Sequence, residues 1–142
     1  MTEVKRASSD ADIARCFAVM HELRTHLVGE ADFVVRCRRQ MDESGWSLIY
    51  VEDGDAVAAV AGFRIQHMLF SGKTLYVDDL VTAEKQRSKG FGEILMAWLE
   101  SHAREKGCET FSLDSGVQRA GAHKFYFRQG LPITSFHFAK KL

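Results

Sequence analysis

The chain has little of what stops, staples or spans. A single proline and no low-complexity run leave no sign of a linker or domain boundary. Its 142 residues suit one domain, 1–142, with a proper core. Cys16, Cys37 and Cys108 are odd in number, widely spaced and without a CxxC pair, which excludes a disulfide framework and a structural zinc site. His21, His26, His67, His102, His123 and His137 show no HExxH or similar spacing, so no metal is expected. Neither charge is in excess: 19 basic and 19 acidic residues give a net charge of zero and no electrostatic footprint for nucleic acid. No apolar run approaches the roughly 18 residues that a membrane span needs. The polar start, MTEVKRASSDAD, is unlike a signal peptide. Together these absences imply a cytoplasmic protein that binds neither nucleic acid nor membrane.

What is present is strong patterning. A short strand at 2–7 precedes Ser8-Ser9-Asp10, N-cap residues for a helix with Ile13, Cys16, Phe17, Met20, Leu23 and Leu27 on one face, ended by Gly29. A second helix is expected over 32–43, with Phe33, Val34, Cys37 and Met41 inward and Arg36, Arg38 and Arg39 on its other, solvated face. The period then changes to two. Strands are expected at 47–52, 56–70 and 74–82, turned at Asp53-Gly54 and Ser71-Gly72 into an antiparallel meander. A helix from Phe91 to Lys106-Gly107 follows, its stripe being Phe91, Ile94, Leu95, Trp98 and His102. Then come a strand at 110–113, a helix at 120–128 and a last strand at 133–138. The order β-α-α-β-β-β-α-β-α-β describes an α/β fold: a mixed sheet flanked by helices on both faces.

The start of the third helix poses a chemical question. Gly90 and Gly92 stand where its first turn must form, and each costs about 1 kcal/mol against alanine. Bare glycines expose the first N–H groups of a helix, which have no internal partner and carry partial positive charge. Such a site suits a phosphate, and Arg87 and Lys89 add formal charge. A Rossmann pattern would need glycine at Leu95, and a P-loop would need Gly-Lys-Ser/Thr; neither is present.

Arg87-Ser88-Lys89-Gly90-Phe91-Gly92 matches the (Gln/Arg)-x-x-Gly-x-(Gly/Ala) signature of the GCN5-related N-acetyltransferases (GNAT), whose loop binds the pyrophosphate of acetyl-CoA. LYVDDLVTAEKQ resembles that family's central strand and its exit, and AHKFYFRQGL resembles its later A-x-x-(Phe/Leu)-Tyr-x-x-x-Gly-(Phe) segment. The order of blocks and of elements also matches. Two positions depart from the pattern: Arg119 stands where Asn is frequent, and Leu131 where Phe is usual.

The resemblance implies acetyl transfer to a primary amine by direct attack in a ternary complex, with acetyl-CoA as donor and no metal. The amine must lose a proton, since an alkylammonium has a pKa of about 10.4. The oxyanion needs a donor, and the leaving thiolate needs a proton. Asp78 and Asp79 stand out as two acids within an otherwise apolar strand. As strand neighbours they should face opposite ways; the structural alternative for each is a salt bridge, with Arg64 or a helix arginine. The resemblance favours Asp78 as general base, with Asp79 second, and Tyr126 as the acid that protonates the thiolate. It places main-chain groups of Leu80, Val81 and Thr82 along the pantetheine arm, and Arg87, Ser88, Lys89, Gly90, Phe91, Gly92 and Glu93 around the pyrophosphate.

Two rivals stand beside a small-molecule N-acetyltransferase: a non-catalytic acyl-CoA-binding sensor, and an enzyme acting on protein N-termini or lysines. An acidic pair would suit a cationic amine such as a polyamine, and equally an amino acid, an aminophosphonate or an aminoglycoside. Relatives of this kind are often homodimers, and ITSFHFAKK offers an edge for pairing.

Overall fold

The computed structural model describes residues 2–142. Strand β1 (Lys5–Arg6) leads into helix α1 (Asp10–Arg15), where the Ser9 hydroxyl accepts the Asp12 N–H at 3.1 Å, with Asp10 and Asp12 in the first turn. The expected single helix is interrupted. It breaks at Cys16, resumes as α2 (Phe17–Leu23) and ends at Arg24, which leaves helical geometry at φ −107°, ψ 71°. Leu27 is buried although it lies beyond the helix. Arg24 departs because its guanidinium is held by the sheet, at Asp79 and at the Asp78 carbonyl, a long-range pull that no local pattern announces. Helix α3 (Glu30–Ser44) buries Phe33 and Cys37 and closes on Gly45 at φ +64°, a left-handed value that suits glycine.

Strands β2 (Ser47–Asp53), β3 (Ala56–Met68) and β4 (Gly72–Thr82) form the meander. β3 stops short of the expected residue 70, and Leu69 and Phe70 are exposed in the turn. Helix α4 (Phe91–Glu105) crosses over to β5 (Thr110–Leu113), which pairs parallel to β4, and α5 (Ala120–Arg128) follows. The sheet order is β1-β2-β3-β4-β5, antiparallel except for the last pair.

Strand alternation divides the core into two layers. Leu48, Tyr50, Val60 and Val81 meet Ile13, Met20, Phe33 and Trp46 on the α1–α3 side. Ile49, Val51, Ala61, Leu75 and Val77 meet Phe91, Leu95 and Leu99 of α4 on the other. Ile94, Trp98 and His102 border the α4 stripe half-buried, with Trp98 and His102 stacked at 4.7 Å.

The expected last strand does not form. Residues 131–142 have no regular structure, and Ile133, Phe136 and Phe138 are 65%, 78% and 93% exposed. Strand propensity is realised only against a partner ladder, and none of the described strands pairs with this segment.

One irregularity positions the site. Opposite β3, Asp79 pairs with Gly62 and Val77 with Phe63, so Asp78 is the extra residue of a β-bulge. The bulge reverses the alternation: Leu75, Val77 and then Leu80 face α4, whereas Val81 faces α1–α3. Asp78 and Asp79 therefore share the α1–α3 face, which corrects the expectation that strand neighbours must point apart. Gly62 is what the bulge packs against; a Cβ there would run into the Trp46 ring and the Asp79 carboxylate. Gly62→Ala is expected to cost about 1–3 kcal/mol through overpacking, read as a lower urea midpoint at unchanged m-value. Gly121→Ala, where a Cβ meets nothing within 4 Å, should raise the midpoint, by up to about 1 kcal/mol.

Candidate active site

The parallel pairing of β4 with β5 runs from Thr74–Thr110 to Val77–Leu113 and stops where the bulge begins. From Asp79 to Thr82 β4 stays paired with β3, but its other edge has no neighbouring strand. The main-chain N–H and C=O groups that Leu80, Val81 and Thr82 turn to that side have no strand to pair with and need other partners. Just beyond, Ala83 donates to the Ala58 carbonyl at 2.8 Å, and a 3-10 turn, Glu84–Gln86, leads into the glycine loop.

That loop bares main-chain amides. Ser88, at φ +65°, is the one non-glycine residue with positive φ among the described residues, and Gly90 follows at φ +87°. No side chain caps α4, and Ile94 N–H makes its first bond, to the Gly90 carbonyl at 3.1 Å. The amides of Phe91, Gly92 and Glu93 thus lack an intrahelical partner. A Cβ on Gly92 would stand 3.4 Å from Thr82 Oγ1 and 3.5 Å from Phe125 Cζ, so the bare amide sits between the end of β4 and α5. Arg87 makes no ion pair among the described residues, while Lys89 is turned to Gln86 Oε1 at 2.9 Å and Asp53 at 3.6 Å. Open amides, dipole and a free guanidinium fit a diphosphate.

Beside the bulge lies a cavity of about 560 Å³ walled by β4 and by the chain around α2 and α3. Both acids of the bulge reach it, each matched by an arginine. Asp78 accepts from Arg64, with Nη2 at 2.5 Å from Oδ2 and Nε at 3.0 and 3.1 Å from its two oxygens; Arg64 is steadied by Gln40 Oε1 at 3.1 Å. Asp79 accepts from Arg24 Nε at 2.8 Å, and Arg24 Nη2 donates to the Asp78 carbonyl at 2.7 Å. Burial raises the Asp79 pKa and Arg24 pulls it partly back. Tyr76, in the same wall, donates to Asp114 Oδ2 at 2.5 Å across β4 and β5, and burial holds its phenol protonated. Burial also pushes the Cys37 thiol up to about 12, which removes it as a nucleophile.

Tyr126 lies on α5, half-buried, edge-on to Phe125 at 5.5 Å. Burial raises its phenol pKa, with Arg119 acting the other way, so the hydroxyl keeps its proton at neutral pH. Phe125 carries α5 against the glycine loop, which brings the two sequence blocks together. Arg64 and a helix-end arginine do pair with the acids, as the structural alternative held. Arg24, Gln40 and Trp46 were not legible as site residues, since the fold alone brings them to Asp78 and Asp79. The arginines of α3 also separate: Arg36 and Arg39 face the cavity, whereas Arg38 turns to Asp10 at 2.7 Å and to the Ser8 carbonyl at 2.8 Å.

No helix among the described residues is long and apolar enough to cross a membrane. The acetyltransferase (GNAT) family profile matches residues 13–131. An uncharacterized N-acetyltransferase of Bacillus subtilis strain 168, YhdJ, is 33% identical over 141 residues, 99% of each chain. The aminoalkylphosphonate N-acetyltransferase of Salmonella typhimurium strain LT2 is 30% identical over 95 residues, 65% of this chain and 60% of the relative. Among solved structures, an aminoglycoside N-acetyltransferase in complex with CoA superposes with a TM-score of 0.84 at 11% identity, covering 100% of this chain and 96% of that one. An open strand edge running to an uncapped, glycine-bared helix, with these matches across the chain, makes it a member of the GNAT acetyltransferase family, whose acetyl donor is acetyl-CoA.

Proposed function

We propose that the enzyme acetylates the primary amine of a small molecule by direct attack, with both substrates bound together. The observation that carries this is the bulge in β4: one distortion faces two carboxylates into a cavity and leaves the following stretch of strand edge free. Acetyl-CoA supplies the activated acyl thioester. The amides of Gly90, Phe91, Gly92 and Glu93, with Ser88, Arg87 and Lys89, hold the diphosphate, and Leu80, Val81 and Thr82 offer main-chain partners to the pantetheine amides. An N–H of that edge donates to the thioester carbonyl, where negative charge develops. Asp78 takes the ammonium proton, directly or through a water; Arg64 and Gln40 fix its orientation. Asp79 anchors Arg24, which braces the Asp78 main chain. Tyr126 gives its proton to the leaving thiolate. With Cys37 protonated, no acyl-enzyme is needed. A small-molecule acceptor is supported by the aminoalkylphosphonate and aminoglycoside enzymes that the chain resembles. The same reading includes a homodimer formed through residues 131–142, where Ile133, Phe136 and Phe138 would be covered.

Thiol release from acetyl-CoA over a panel of amines tests the chemistry. Asp78→Ala and Tyr126→Phe should each lower kcat about 10²–10⁴-fold with little change in acetyl-CoA affinity; full activity in both would remove the assigned roles. Gly90→Val, which forces a branched side chain to φ +87°, should weaken acetyl-CoA binding about tenfold or more, measured by calorimetry. The raised Asp79 pKa has a definite sign. Its stabilising contribution is complete below the ordinary carboxylate value of about 3.9 and is lost as pH rises through the higher folded value. Asp79→Asn should therefore gain stability relative to wild type as pH rises through that window; a pH-independent difference would contradict it. Sedimentation velocity should give a two-chain mass, and a single-chain mass at micromolar concentration would reject the homodimer.

A further inference from the structure

The acids of the cavity are already spoken for, and its remaining charge is positive. We propose that the acceptor amine also carries an anionic group, a phosphonate, phosphate or carboxylate, held by Arg36 and Arg39 of α3. This rests on the acceptor cavity assigned above and names the chemistry of its far wall.

Asp78 is neutralised by Arg64 and Asp79 by Arg24, so the acidic pair offers no free charge to a polyamine, one of the acceptors that the sequence left open. Arg36 and Arg39 line the same cavity. The ion pair of Arg36 is with Asp32, one turn earlier, both partners well exposed at 52% and 39%. Such a pair holds an arginine weakly and yields readily to a better anion. Arg39 has no ion pair among the described residues. Arg36 and Arg39 stand three residues apart on one helix, where side chains are neighbours, and a planar guanidinium is the donor that phosphonate and carboxylate oxygens accept.

Trp46 belongs to the wall of the same cavity, and its ring packs over Gly62 beside Asp79, so it reports on the cavity's occupancy without touching the anion. The polarity of the cavity is ordered, with carboxylates at the β4 bulge and the guanidinium donors of Arg36 and Arg39 on the α3 side. A cavity of about 560 Å³ is within the range of small-molecule sites.

The experiment compares 2-aminoethylphosphonate and β-alanine with propylamine as acceptors, for wild type, Arg36→Gln and Arg39→Gln. In wild type the anionic amines should exceed propylamine in kcat/KM by about tenfold or more, the scale of one charge-assisted hydrogen bond. Either variant should reduce that ratio, mainly through KM of the anionic acceptor. A wild-type ratio near one, or a ratio unchanged in both variants, overturns the proposal. Binding is read separately. The chain has two tryptophans, so the Trp46 indole N–H resonance can be assigned with Trp46→Phe and followed on adding 2-aminoethylphosphonate, β-alanine or inorganic phosphate. A shift that Arg39→Gln abolishes supports the anion site even if no amine is acetylated, a result that would reject the proposed reaction alone. No shift with any of the three rejects the anion site. Which probe shifts the resonance distinguishes a tetrahedral oxyanion from a carboxylate.

Discussion

The parting of β4 from β5 after Val77 is the constraint on which the rest of the molecule turns, because a strand edge inside a fold must find partners for its main-chain groups. Up to Val77 the partner is β5. Beyond it comes the bulge at Asp78, and residues 79–82 are left with β3 alone. An unpaired edge of this kind would be a liability on an outer strand. Here it ends at a helix whose own first amides are free. Two sets of donors without a partner in the ladder or the helix, one from a sheet and one from a helix, therefore follow one another along the chain.

The same bulge decides the electrostatics. Placing Asp78 and Asp79 on one face brings two carboxylates together in a partly dry wall, an arrangement that is tolerable only with matched cations. Arg64 comes from the adjacent strand and Arg24 from the interrupted end of α2. The interruption of α2 and the bulge in β4 are thus two ends of one interaction. Gly62 completes it, since only a residue without a side chain leaves room for the Trp46 ring and the Asp79 carboxylate at the crossing.

With its acids paired internally, the cavity keeps donors rather than acceptors on its α3 side. Composition could not show this, because zero net charge over the whole chain is compatible with strongly ordered charge within one cavity. The three arginines of α3 look alike in the sequence, yet Arg38 is spent on Asp10 and the Ser8 carbonyl while Arg36 and Arg39 remain at the cavity.

The sequence by itself determined the meander, the long crossover helix and the glycine-bared loop before it, because each is written in local terms: period-two alternation, turn residues at Gly54 and Gly72, a 3.6-residue stripe, and glycines where a helix must begin. It also singled out Asp78 and Asp79 by their chemistry, and Tyr126 by the resemblance of its segment. Only the tertiary structure decided that the two acids share a face, since a bulge is a mismatch between two strands and belongs to neither alone. It alone broke the first helix at Cys16 and Arg24 and brought Arg24, Gln40 and Trp46 to the cavity. It also withheld the last strand, because 133–138 has the composition of a strand but joins no ladder among the described residues.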